Sequence, residues 1–261
     1  MKKLCFMIAL VLPLFTISCD KNLEEDEPLT SEMSGLGDNE GSPSGIIFKF
    51  PDGIELIGDI SGDFTSVNMW NWESEQMSLL LRSAENKQIK TRNPQAGIQL
   101  RTTPIACDIH QGSGGLVSVL FNLKNTKNQA GTVEFPAGLL IESASGEYQN
   151  GLLVKKTSVV VPANGTLAVG LDMYCCNLSR HASDNDAVYK WPVITNNAEL
   201  KKLFEAAKGK RINREEFTYT DVMDYYICTS TVQSIVWGIT EGSEGFTEER
   251  RVRIEGLPDS Q

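Results

Sequence analysis

The sequence predicts a mainly β protein: an antiparallel sandwich, immunoglobulin-like or barrel-like in build, with a C-terminal helical segment. Three observations predict it. Short segments rich in Val, Ile, Leu and Phe recur between residues 46 and 173, separated by Gly, Pro, Asn and Ser clusters. One of them, 116–123, alternates: Leu116, Ser118, Leu120 and Asn122 fall on one face, and Val117, Val119, Phe121 and Leu123 on the other. After residue 196 the apolar period lengthens from two residues to between three and four.

Taken in order, 46–50 and 54–57 flank Pro51-Asp52-Gly53 and read as a hairpin. Residues 73–92 fit helix or strand. Further strands are expected at 97–101, 105–109, 116–123, 132–135, 139–142, 151–155, 158–161 and 167–173, with turns at 125–128, 143–146 and 162–165. Asn197 is expected to cap a helix carrying Leu200, Leu203, Phe204 and Ala207 on one stripe, with Gly209 ending it. A second helix is expected from Thr220-Asp221 towards Thr240, stopped by Gly242. Residues 251–254 are expected to return to the sheet as a strand. The body then divides into a small N-terminal β-rich subregion, 46–95, and a sandwich with a helical insertion, 96–261.

Composition narrows the function. The chain has 261 residues and a formal net charge of −10, with 41% hydrophobic and 22% charged residues. That is globular composition, so a wholly disordered chain is excluded. An acidic balance argues against a nucleic-acid partner. Six cysteines are too few for a disulfide-dense miniprotein.

The N-terminus gives an address. Lys2 and Lys3 precede an apolar stretch, Leu4 to Ile17, which is too short for a comfortable membrane-spanning helix and fits a secretory signal. It closes on Thr16-Ile17-Ser18-Cys19, a small residue just before a cysteine. This resembles the lipobox of bacterial lipoproteins, with Thr16 in place of the usual Leu. The resemblance implies that residues 1–18 are removed and that Cys19 is lipidated, anchoring the chain to a membrane. Residues 20–45 then hold eight acids against one base and no aromatic residue. Such composition is expected to form a disordered tether. An acidic run after a lipidated cysteine resembles the export signal of Bacteroidetes-type surface lipoproteins, which implies an outer-membrane, cell-surface location.

After export four cysteines remain: Cys107, Cys175, Cys176 and Cys228. Adjacent cysteines rarely bond each other, so the candidate disulfides join Cys107 and Cys228 to the Cys175-Cys176 pair in one of two ways. Free buried thiols are the competing expectation. Cys107-x2-His110 is the only spacing that approaches a zinc pattern, and His181 follows the vicinal pair; no metal site and no cofactor are expected from them. No G-x-S-x-G, H-E-x-x-H, phosphate-loop or dinucleotide motif occurs, and no enzymatic activity is expected.

Two constellations could bind. Tyr174-Cys175 and the later Val232-Gln233-Ser234-Ile235-Val236-Trp237 resemble the Cys–Gln thioester domains of bacterial surface adhesins. Those domains carry an aromatic-Cys pair and a distant T-Q-x-A motif continuing into Ile-Trp. The Gln-to-Trp spacing is kept, Val232 stands for the motif Thr, Ile235 stands for Ala, and Cys176 is additional. The resemblance implies an internal thioester between Cys175 and Gln233, shielded by Tyr174, Trp237, Tyr225 or Tyr226, which a lysine amine on a host surface would open. Without it, Cys175 is core and Gln233 lies on the polar side of a helix. Separately, Trp70 and Trp72 lie two apart and share a face if extended, where they would either stack on a glycan or fill the core. The combined expectation is a lipid-anchored, non-enzymatic surface binding or adhesion protein, with a thioester or a glycan platform as alternatives.

Overall fold

A computed structural model of the chain describes residues 28–63 and 107–261. The strands run in chain order as β1 (Gly45–Ile47), β2 (Ile54–Leu56), β3 (Ile60–Gly62), β4 (Ile109–Gly112), β5 (Val117–Asn125) and β6 (Gly131–Phe135). They continue as β7 (Leu139–Ile141), β8 (Gly151–Leu152), β9 (Thr157–Val161), β10 (Thr166–Cys175), β11 (Val188–Tyr189) and β12 (Val193–Thr195). The helices are α1 (Ala198–Ala207), α2 (Val222–Thr240) and α3 (Glu248–Glu255).

Ten strands form one mainly antiparallel sheet, ordered β1-β12-β7-β8-β10-β5-β3-β11, with β2 also on β5 and β4 also on β10. The sheet does not close into a barrel. A two-stranded ribbon of β6 and β9 is separate from it. β5 and β10 are the organising pair, in register from Thr166 against Lys124 to Met173 against Val117. The alternation of β5 is as expected: Val117, Val119, Phe121 and Leu123 are all buried. They meet Val133 and Phe135 of β6, Val159 and Val161 of β9, and Val169 and Leu171 of β10 in one sandwich-like core. A second apolar cluster lies between the strands β7, β8 and the end of β10 and the three helices. Leu140, Leu152 and Tyr174 there pack with Leu200, Leu203, Val232, Ile235, Val236, Ile239 and Ile254.

α1 forms as expected. The Asn197 side chain accepts from the N–H groups of Glu199 and Leu200, and Leu200, Leu203, Phe204 and Ala207 are its buried stripe. α2 also forms, entered through a 3-10 turn at Tyr219–Asp221.

Four expectations are corrected. Pro51 to Ile54 does make a tight turn, with Ile54 N–H on Pro51 O at 3.0 Å, but its arms do not pair with each other. β1 pairs with β12 and β2 with β5, because Phe48 and Phe50 between them turn into an aromatic cluster with Phe121, Phe135 and Trp191. Residues 251–254 are helix, not strand. The Arg-Val-Arg-Ile alternation suggests period two, yet Thr247 caps the segment by accepting from Arg250 N–H, and Glu248 and Glu249 occupy its first turn. The described part of 46–95 is not a subregion apart, since β1, β2 and β3 all join strands of the main sheet. The 73–92 and 97–101 segments lie outside the described residues.

The fourth correction concerns the acidic segment. Residues 28–45 pack on the body. Thr30 bridges Asn197, with Ala198 N–H on Thr30 O at 2.8 Å. Leu36 is buried in the helical cluster. The carbonyls of Gly35 and Gly37 accept from Asn177 Nδ2 at 3.1 and 2.8 Å, and Gly35 O also accepts from Asn150 Nδ2. Gly37 has φ +61, and a Cβ there would stand 2.2 Å from Thr240 O. Composition misleads here because much of the order comes from side-chain amides of the body that take up the segment's backbone carbonyls, with Leu36 as its one buried apolar anchor.

Candidate functional site

β10 carries Cys175 as its last residue, and its two ends have different neighbours. From Val169 to Asp172 it lies between β4, parallel, and β5, antiparallel. Beyond Met173 the β5 partner ends, and Tyr174 and Cys175 pair with Leu152 and Gly151 of β8. Side-chain alternation sends Tyr174 and Cys176 into the helical cluster and Cys175 into the sandwich cluster, where Trp237 packs against it.

Cys176 N–H returns to Asn150 O at 3.0 Å. Both backbone groups of Cys175, in contrast, are taken by Gln233. Cys175 N–H donates to Gln233 Oε1 at 2.9 Å, and Gln233 Nε2 donates to Cys175 O at 2.8 Å. The carboxamide thus fills the position of a neighbouring strand. It comes from α2, on which Gln233 and Trp237 are one turn apart and share a face. Trp237 Nε1 donates to Cys175 Sγ at 3.3 Å. The structure therefore brings together three residues singled out in the sequence, Cys175 with Gln233 58 positions on and Trp237 62 positions on.

The electrostatics are those of a sheltered thiol. Burial pushes the Cys175 thiol up to about 11, against the pull of the Trp237 N–H and the Asn177 backbone. Cys176 is raised well above the usual thiol range by burial and by Cys175 beside it. Thiolate at Cys175 is therefore scarce at neutral pH, and Trp237 is the group that most favours it. The expected aromatic cover is narrower than four residues. Tyr174 faces the helices, Tyr225 points its hydroxyl at Gly114 O, and Tyr226 is exposed, leaving Trp237 over the sulfur.

Chemically, the contacts hold the Gln233 carboxamide on the Cys175 backbone, with its carbonyl on an N–H donor. The Cys175 N–H polarises the Gln233 carbonyl and would hold the oxyanion of a tetrahedral adduct. The Nε2 bond to Cys175 O fixes the orientation of the carboxamide.

The expected disulfides are absent. Cys107, Cys175, Cys176 and Cys228 are all buried free thiols. Cys176 and Cys228 sit in the helical cluster, and Cys175 in the sandwich cluster, so the vicinal pair is used as small apolar packing. His181 is an exposed loop residue, with its N–H on Glu147 O. Cys19, Trp70 and Trp72 lie outside the described residues.

Sequence reasoning missed one buried polar cluster. Ligand-capable atoms of Asp63, Cys107 and His110 all lie within 4.8 Å of one another. His110 stands on β4 opposite Gly170 of β10. Asp172, on the same strand, accepts from Ser118 Oγ at 2.9 Å and from Arg214 at 3.2 Å. Cys107-x2-His110 was the legible part; Asp63, just past the end of β3, and Asp172, on β10, arrive from elsewhere in the chain and leave no spacing signal.

Comparison of the chain with family models, with curated proteins and with solved structures gives no match.

Proposed function

We propose that this chain is a lipid-anchored surface adhesion protein that attaches covalently through an internal Cys175–Gln233 thioester. One observation carries the reading: the Gln233 carboxamide is bonded at both ends to the backbone of Cys175. In the reaction, Cys175 Sγ attacks the Gln233 amide carbon. The S–C bond forms, the C–N bond breaks, and the thiol proton leaves with the amide nitrogen as ammonia. Cys175 N–H steadies the oxyanion, and Trp237 Nε1–H steadies the sulfur before attack. A lysine amine of a target then opens the thioester, forms an amide with the Gln233 carbonyl and returns the Cys175 thiol. Each molecule reacts once, so this is attachment and not turnover.

The N-terminal signal, Cys19 lipidation and the acidic residues that follow support placement on the outer face of an outer membrane. Adhesion at that surface needs the bond to survive pulling, which an amide does. The test is small-amine incorporation. Methylamine is expected to label the Gln233 peptide and to free Cys175 for alkylation in the same molecules. Absence of both, at neutral and at alkaline pH, overturns the proposal.

A further inference from the structure

We propose that Asp63, Cys107 and His110 form a binding site for one divalent transition-metal ion of the zinc class, apart from the Cys175–Gln233 site. The three side chains supply sulfur, nitrogen and oxygen donors, the mixture that zinc accepts in a tetrahedral site with one further position for water. Their ligand atoms lie within 4.8 Å of one another. Zinc bonds of about 2.0–2.3 Å place tetrahedral donors about 3.3–3.8 Å apart, so the cluster needs to contract by roughly 1.5 Å at most to close on an ion.

The surroundings are built for such a group. His110 Nε2 faces Asp63 Oδ2 at 3.9 Å, close to the spacing of two donors on one ion. Its other nitrogen, Nδ1, faces Asp172 Oδ1 at 3.7 Å. Metal-bound histidines commonly direct the second ring nitrogen at a carboxylate, which fixes the tautomer and the ring plane. Asp172 fits that outer role and not a ligand's, because Ser118 and Arg214 already engage its two oxygens.

Gly170 makes the approach possible. A Cβ at that position would stand 2.6 Å from His110 Nδ1 and 3.0 Å from Cys107 Sγ. Imidazole and thiol therefore share the space that a side chain on β10 would fill. The start of the segment is pinned by paired bonds, Asp108 N–H to Ala168 O and Ala168 N–H to Asp108 Oδ2, both 2.8 Å, which hold Cys107 beside β10. Asp63 is held by its own N–H on Ser118 O at 2.9 Å. The donors thus come from segments anchored on β5 and β10, as a preorganised site requires. On binding, the thiol proton passes to solvent and the sulfur coordinates as thiolate.

The experiment titrates the purified full chain, freed of metal by a chelator, with cobalt(II). The expected result is a sulfur-to-cobalt charge-transfer band in the near ultraviolet that saturates at about one equivalent and is abolished by zinc. Peptide mapping of the same samples is expected to show metal-dependent protection of Cys107, and of no other cysteine, from alkylation. Asp172→Asn is expected to weaken cobalt binding by about 10–100-fold with the band position kept, as loss of an outer-shell partner does. Cys175→Ala is expected to retain the band, which separates this site from the thioester. No band in the wild-type chain overturns the proposal, as does protection that maps to Cys175, Cys176 or Cys228. The protection assay needs only wild-type protein, so it decides even if Cys107→Ser or His110→Gln fails to fold.

Discussion

The two ends of β10 complete their backbones by different means. Along Val169–Asp172 neighbouring strands lie on both sides, β4 on one and β5 on the other. At Cys175 one side is β8 and the other is a single side-chain amide, that of Gln233. At the strand-completed end the backbone is satisfied by backbone alone, so Val169 and Leu171 are chosen only for apolar volume in the core. The amide-completed end needs a carboxamide at position 233, and it holds that group on the backbone of a cysteine. Asn177, two residues on, repeats the device: its side chain accepts from Asn150 N–H and donates to the carbonyls of Gly35 and Gly37. A backbone that lacks a strand is thus finished by side-chain amides.

The contrast can be broken or sharpened experimentally. Phe121→Ala, in the strand-completed region, is expected to cost about 3–5 kcal/mol in urea unfolding through a core cavity, with no effect on the reactivity of Cys175 per folded molecule. Gln233→Ala is expected to cost about 2–4 kcal/mol, because it strands two buried backbone groups of Cys175. A cost near zero would mean that water or a neighbour replaces the amide, and the contrast would fail. Asn177→Ala is expected to cost about 1–3 kcal/mol and to raise hydrogen exchange in residues 28–45 ahead of the sheet. Unchanged exchange there would show that Leu36 and the Asn150 and Thr30 bonds hold the segment without Asn177.

The smallest effect concerns pH. The Cys175 thiol lies at about 11 in the fold against an ordinary value of 9.0. Its neutral form is favoured by folding, so that contribution is intact below about pH 9 and is lost as pH rises through about 11. Alkylation of Cys175 in folded chain whose thioester has first been opened by methylamine should rise along the same curve. Trp237→Phe removes the N–H donor to Sγ, and should move the alkylation curve to higher pH while changing stability by about 1 kcal/mol or less. A curve shifted to lower pH would mean that the indole hinders the thiolate.

Much of the scaffold was legible because burial leaves a period. β5 shows it at two residues and α1 at three to four, with Asn197 marking where α1 begins. β8 was read as longer than Gly151–Leu152, and α3 as a strand, because Leu153 and Val154 are buried apolar residues of the irregular stretch that follows β8 and Val252 and Ile254 alternate on a helix. The Cys175–Gln233–Trp237 grouping was reachable from a motif resemblance. The role of Gln233 towards the Cys175 backbone was not, since a hydrogen bond between a strand and a distant helix produces no spacing. The same holds for Asp63 and Asp172 around His110, and for the amides that order residues 28–45.

Intact mass of the purified full chain tests the central claim most directly. Wild-type protein is expected to be lighter than its sequence by one ammonia, with three of the four thiols Cys107, Cys175, Cys176 and Cys228 alkylatable after denaturation, and Cys175→Ala and Gln233→Glu are each expected to show full mass. Wild-type protein at full mass, with Cys175 alkylated alongside the other three, would contradict it.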